Sequence, residues 1–121
     1  MSLPTTLRYR VEEIGPMYSI ILGSAASGQI SDAYREQAIA LCAAAFDSFT
    51  VIKSEGFFKG AREESLIFQF ATQEPDKVIR LAAQLAEVFN QEGVGIMRPA
   101  GPGASYTGYS RVIPNRPITT I

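Results

Sequence analysis

The chain has 121 residues, 46% of them apolar and 19% charged, with a net charge of −1, one cysteine and no histidine. The near-neutral balance, without a run of like charges, argues against the broad field that holds DNA or an anionic membrane. The lone Cys42 excludes an internal disulfide or a cysteine metal site, and the missing histidine removes the commonest metal ligand and the usual acid–base group near neutral pH. The length suits one domain. The low charged fraction fits either a hidden oligomer interface or a low-charge tail. The longest apolar stretch, within residues 38–46, is too short to span a bilayer, and residues 1–10 lack a signal-type apolar core. The expected setting is the cytoplasm, with no membrane partner.

Residues 17–23 read as a buried strand with Tyr18, Ile20 and Leu22 on one face. Residues 23–28 form a small-residue loop. Ser31 suits an N-cap, and Asp32 suits the positive end of a helix. The apolar spacing of Tyr34, Ala38, Leu41, Cys42, Ala45, Phe46 and Phe49 then predicts an amphipathic helix. Residues 50–55 form a second strand, and 65–71, rich in Ile67, Phe68 and Phe70, a third. The hairpin between them, around 57–62, reads as longer than a two-residue turn. Pro75 opens a second helix with Val78, Leu81, Ala82, Leu85, Val88 and Phe89 on its apolar stripe. Asn90 or Gln91 ends it, and residues 93–98 form a fourth strand.

The order predicts an α+β domain over 17–98, a ferredoxin-like β-α-β-β-α-β sheet with both helices on one face. An extension over 1–16 precedes it and a proline- and glycine-rich arm over 99–121 follows. Ile21, Ile52 and Ile67 point away from the helix side, so the second sheet face is expected to be covered by another copy or by the arm.

Few residues suggest chemistry. Glu63 and Glu64 are adjacent on a strand, so their side chains point to opposite faces and make a poor catalytic pair. Cys42 lies in the apolar stripe of its helix and reads as core. The segment Gly23-Ser24-Ala25-Ala26-Ser27-Gly28 lies between strand and helix, as phosphate-binding turns do, but lacks the Lys-Ser/Thr ending; a plain connection is the stronger reading. On the hairpin, Phe57 and Phe58 can stack on a base and Arg62 can meet a phosphate, or one ring can pack inward with the cations solvated. Asn90 and Gln91 can terminate the helix or pair with a purine edge. Tyr106, Tyr109 and Arg111 can close over a pocket or anchor the arm. Convergence of Arg62, Arg98 and Arg111 would mark an anion site.

The first strand over 17–23, the Ser-capped helix, Phe49-Thr50-Val51, the aromatic–Gly segment before Glu63-Glu64-Ser65-Leu66, and Phe89-Asn90-Gln91-Glu92 with Val94 together resemble the Thoeris anti-defence protein one family. The resemblance covers roughly residues 17–98. It implies a small phage protein that binds without turnover, holding cyclised ADP-ribose signals and, in some members, cyclic oligonucleotides. It further implies a homodimer, in many members assembled further to a hexamer, no cofactor, and Phe57, Arg62, Asn90 and Arg111 as ligand contacts. The rival expectations are a ferredoxin-like module for a small metabolite, a structural oligomer without ligand, and an enzyme of dimeric α+β type using Tyr, Arg or Glu.

Overall fold

The computed structural model describes residues 7–24, 27–99 and 107–115. Its elements are β1 (Met17–Gly23), α1 (Asp32–Ala45), β2 (Thr50–Phe58), β3 (Ala61–Ala71), α2 (Pro75–Val88), β4 (Val94–Pro99) and β5 (Thr107–Val112). One antiparallel sheet runs in the order β2-β3-β1-β4-β5. The first four strands have the expected ferredoxin-like arrangement. β1 is central because it is the most evenly apolar strand, and it pairs with β3 on one side and β4 on the other.

Both helices pack on one face. Tyr18, Ile20, Leu22, Leu66, Phe68, Phe70, Val94 and Ile96 project from that face onto Ala38 and Cys42 of α1 and Val78, Leu81, Ala82, Leu85 and Ala86 of α2. Most of these side chains are wholly buried, and each large one contributes roughly 1.5–3 kcal/mol of hydrophobic stabilisation. Ser31 caps α1 by accepting from the Tyr34 amide at 3.1 Å, and Pro75 occupies the first turn of α2. Asn90 ends α2 in the left-handed region, φ 52°, its amide donating to the Glu87 carbonyl at 3.2 Å.

Three boundaries differ from expectation. α1 stops at Ala45, because Phe46 is already extended at φ −136° and Phe49 meets Phe68 and Phe70 from outside the helix. The β2–β3 hairpin is tight: the strands run on to Phe58 and from Ala61, joined by Lys59 and Gly60 alone. Both have positive φ, 51° and 79°, the paired left-handed geometry that matches strand twist. Gly60 accepts that geometry freely, and the lysine before it gave no such signal. Finally, part of the C-terminal segment expected as an arm is a fifth strand, with Thr107–Val112 pairing against β4. The rest of that segment, 100–106 with Tyr106 and 116–121, lies outside the described residues.

The other face of the sheet carries Ile21, Ile52, Ile67 and Met97 beside Ser19, Ser54, Ser65 and Gln69, and no element of the described chain crosses it. β5 extends the sheet sideways and does not cover this face.

Candidate functional site

At one end of the sheet the β1 ladder stops at Gly23 opposite Ser65, while β3 continues back to Ala61. The hairpin therefore overhangs the end of β1. The β1–α1 loop, the α2–β4 turn and β5 close around the same end. Among the described residues, three clefts at this end share walls. The first, about 340 Å³ on the open face, is lined by Ile21, Phe58, Gln91, Glu92, Gly93, Gly95, Tyr109 and Arg111. The second, about 350 Å³ at the rim, shares Phe58 and Gln91 with it and adds Ser24, Ser27, Gly28, Arg62 and Glu63. The third, about 360 Å³, continues past Arg62 and Glu63 to Gln29, Glu55 and Glu64.

Glycine shapes the first cleft. The Tyr109 phenol lies where a side chain on Gly95 would begin, and a Cβ on Gly93 would sit 2.9 Å from Arg111 Cγ. Missing side chains on β4 thus let both β5 residues lie flat across the sheet. Gly23 has a similar role at the centre. A Cβ there would fall 3.0 Å from Glu63 Oε1 and 3.4 Å from Gln91 Oε1. A carboxylate and an amide carbonyl therefore meet over the end of β1.

The floor is fixed by hydrogen bonds. Gln91 Nε2 donates to the Ser24 carbonyl at 3.1 Å, which orients its amide. The Tyr34 hydroxyl donates to the Gly23 carbonyl at 2.5 Å while its ring packs on Phe89 with centroids 4.2 Å apart. Burial, reinforced by the charge of Glu63, pushes the Tyr34 phenol up to about 12. Ser24 is 5% exposed, and its hydroxyl has no hydrogen-bond partner among the described residues. A buried hydroxyl without a partner carries a desolvation cost that a bound polar group would relieve.

The two glutamates divide as expected for neighbours on a strand. Glu63 faces the open side. Glu64 faces the helices, accepting from the Ile30 amide at 3.2 Å and pairing with Lys53 at 2.8 Å. The Lys53 hydrogen bond, then the Ile30 amide, hold the Glu64 carboxyl below its usual range, and the same pair raises Lys53. Glu64 is structural and Glu63 faces the cleft.

Of the side chains singled out from sequence, Phe58, Arg62, Gln91, Tyr109 and Arg111 line these clefts. Phe57 lies on the other side of β2, 70% exposed, with the Arg62 guanidinium 5.6 Å over its ring. Asn90 lines none of the three and serves the helix terminus. Arg98 pairs in register with Gly108, toward the opposite end of β4, so only Arg62 and Arg111 of the three arginines come to this end. Ser24, Glu63 and Gly95 were not chosen from sequence. A glycine inside a strand was the available signal for Gly95, since it often marks close approach of another group. No helix of the described residues is long and apolar enough to cross a membrane, and no metal-type cluster is found among them.

No protein-family model and no curated protein matches the sequence. Among solved structures, a phage SAM lyase in complex with S-methyl-5'-thioadenosine superposes with a TM-score of 0.59 at 19% identity, covering 88% of this chain and 96% of that one. A phage SAM lyase in its apo state gives 0.62 at 18%, with the same coverage. The likeness establishes a shared fold with a phage protein that binds a nucleoside-derived ligand. It also corrects an expectation: a non-enzymatic protein was anticipated, and the neighbours in this fold are enzymes. The missing histidine and carboxylate pair spoke against hydrolysis by general acid and base. They do not speak against a reaction whose leaving group is already activated.

Proposed function

We propose that the chain is a lyase acting on a sulfonium nucleoside of the S-adenosylmethionine class, with the end-of-sheet clefts as its active site. The single observation that carries the reading is the Glu63 carboxylate, held beside Gly23 and Gln91 at the cleft rim, in a fold shared with phage SAM lyases. A carboxylate there stabilises a sulfonium cation, and a groove bounded by Phe58 and Tyr109 offers rings on which an adenine can stack. Gln91 and Ser24 supply hydrogen-bonding groups for the nucleoside, and Arg111 a fork for the substrate's carboxylate.

The chemistry matches the residue inventory. A sulfonium departs as a neutral thioether, taking the carbon–sulfur electron pair with it. Abstraction of a carbon-bound proton would need a base; the described site holds no histidine, Glu64 is engaged by Lys53, and Glu63 serves the sulfonium in this reading. The substrate's own carboxylate can instead attack the γ carbon. One C–O bond forms as the C–S bond breaks, giving a five-membered lactone and S-methyl-5'-thioadenosine, with no proton transfer. The protein's part is to fold the substrate into line and exclude water. Consumption of a host nucleoside metabolite keeps the anti-defence setting and the cytoplasmic location in this reading, with turnover in place of storage. Self-association belongs to it as well: the apolar side chains of the open face support cover by another copy. Mass spectrometry after incubation with S-adenosylmethionine tests the proposal. Thioadenosine product is expected from the native chain and strongly reduced product from Glu63→Gln. Intact substrate with the native chain overturns it.

A further inference from the structure

Residues 7–14 have no regular secondary structure, and no hydrogen bond or ion pair joins them to the rest of the described chain. Yet the sequence Leu7-Arg8-Tyr9-Arg10-Val11-Glu12 alternates apolar and charged residues, the pattern of a strand with one buried face. Its apolar members are instead in water: Tyr9 is 85% exposed and Val11 78%. The base of the segment is fixed. Gly15 has φ 149°, a Cβ on it would lie 2.6 Å from the Thr72 carbonyl carbon, and the Thr72 amide donates to the Pro16 carbonyl at 3.1 Å.

We propose that residues 7–14 form an exchanged strand that pairs antiparallel with the free edge of β2 in a second copy of this chain. β2 and β5 are the two sheet edges. β5 carries Arg111 and no acidic residue, so it offers the arm's arginines nothing. β2 carries Lys53 and Glu55 on one face and Ile52, Ser54, Gly56 and Phe58 on the other. One register satisfies both faces. With Arg10 opposite Glu55, Glu12 falls opposite Lys53 and Arg8 opposite the exposed ring of Phe57. On the other face Tyr9 lies opposite Gly56, Leu7 opposite Phe58 and Val11 opposite Ser54, the one pair without a matching partner type. Opposite charges face each other, and an aromatic ring covers a strand glycine.

The match cannot be made within one chain. β1 and β2 both run antiparallel to β3, so they are parallel to each other, and the arm leaves the sheet at the end where β2 begins. Gly56 and Phe58 lie at the far end. Pairing also removes an open strand edge, which proteins rarely leave uncovered. The register brings the second copy's Leu7 and Arg10 opposite Phe58 and Glu55, which line the end-of-sheet clefts, but the pairing stands or falls on self-association and not on turnover.

Two experiments on the full chain test it. Arg10→Cys with Glu55→Cys should give a disulfide-linked dimer on mild oxidation, since the native Cys42 is buried. Either cysteine alone should not. Separately, Arg10→Glu should weaken self-association at least tenfold by sedimentation, and adding Glu55→Arg should restore it. A double-cysteine variant that stays monomeric, or charge reversals that leave association unchanged while circular dichroism shows native folding, would overturn the proposal.

Discussion

Both faces of the sheet carry β-branched or aromatic residues but are used differently. On the helix face, Ile20, Leu22, Leu66, Phe68 and Phe70 are fully buried, and their partners are supplied by the same chain. On the open face, Ile21 and Ile67 are only part-buried, and Ile52 and Met97 are exposed. The first face holds the monomer together. The second presents apolar strands interrupted by Gly23, Gly56 and Gly95, and these gaps let Glu63, Gln91 and Tyr109 lie close to the backbone. One face is filled by its own side chains, and the other leaves space at one end for a ligand.

Substitutions should separate the faces. Phe68→Ala removes a wholly buried ring and is expected to cost about 3–5 kcal/mol, enough to unfold much of the protein by thermal or denaturant titration. Its neighbour across the strand, Ile67→Ala, should cost well under half of that in the monomer and act mainly on association. Equal losses at both positions would remove the distinction. Glu63→Gln should leave folding intact while lowering turnover roughly 100-fold, the usual scale for one electrostatic contact to a reacting charge. Tyr109→Ala should weaken nucleoside binding by about 1–3 kcal/mol, measured by calorimetry with S-methyl-5'-thioadenosine. Gly95→Ala should do nearly the same, because the new methyl takes the place of the phenol.

Alkaline pH sharpens the contrast in a milder way. Folding raises Tyr34 from 10.0 to about 12 and Cys42 from 9.0 to about 12, chiefly by burial. The protonated forms are the ones the fold favours. Their contribution is therefore complete below pH 9 and is lost as pH rises through 9 to 12. Tyr34→Phe should flatten the Tyr34 part of that loss. The smallest effect is expected at the solvent-accessible Lys53–Glu64 pair, where Lys53→Ala should leave the thermal unfolding midpoint nearly unchanged.

The fold was largely legible in the sequence because its signals are local. Ser31 and Pro75 mark helix starts, Asn90 marks a helix end, and the alternation through Ile67, Phe68 and Phe70 marks a strand. The hairpin tip was misjudged because a lysine at positive φ gives no sign of itself. β5 was hidden among prolines and glycines, which describe the connection around it better than the strand. The site was half legible for a related reason. Phe58, Arg62, Gln91, Tyr109 and Arg111 stood out by residue type, whereas Ser24 and Glu63 gain meaning only when the hairpin overhangs β1. Phe57 shares a face with Arg62, whose guanidinium lies over its ring, and Asn90 sits at the left-handed end of α2, so both stand beside the described clefts and not in their walls. Function was the least legible, since a missing histidine bears on general acid–base chemistry alone and not on a reaction whose leaving group is already activated.

The most direct test of the central claim is a count of product against protein. S-adenosylmethionine in large excess is incubated with a known amount of chain, and thioadenosine is quantified over time. A catalytic site predicts many product molecules per chain, rising linearly with time and lost in Glu63→Gln. Substrate recovered intact after denaturation, at one molecule per site or fewer, would contradict it.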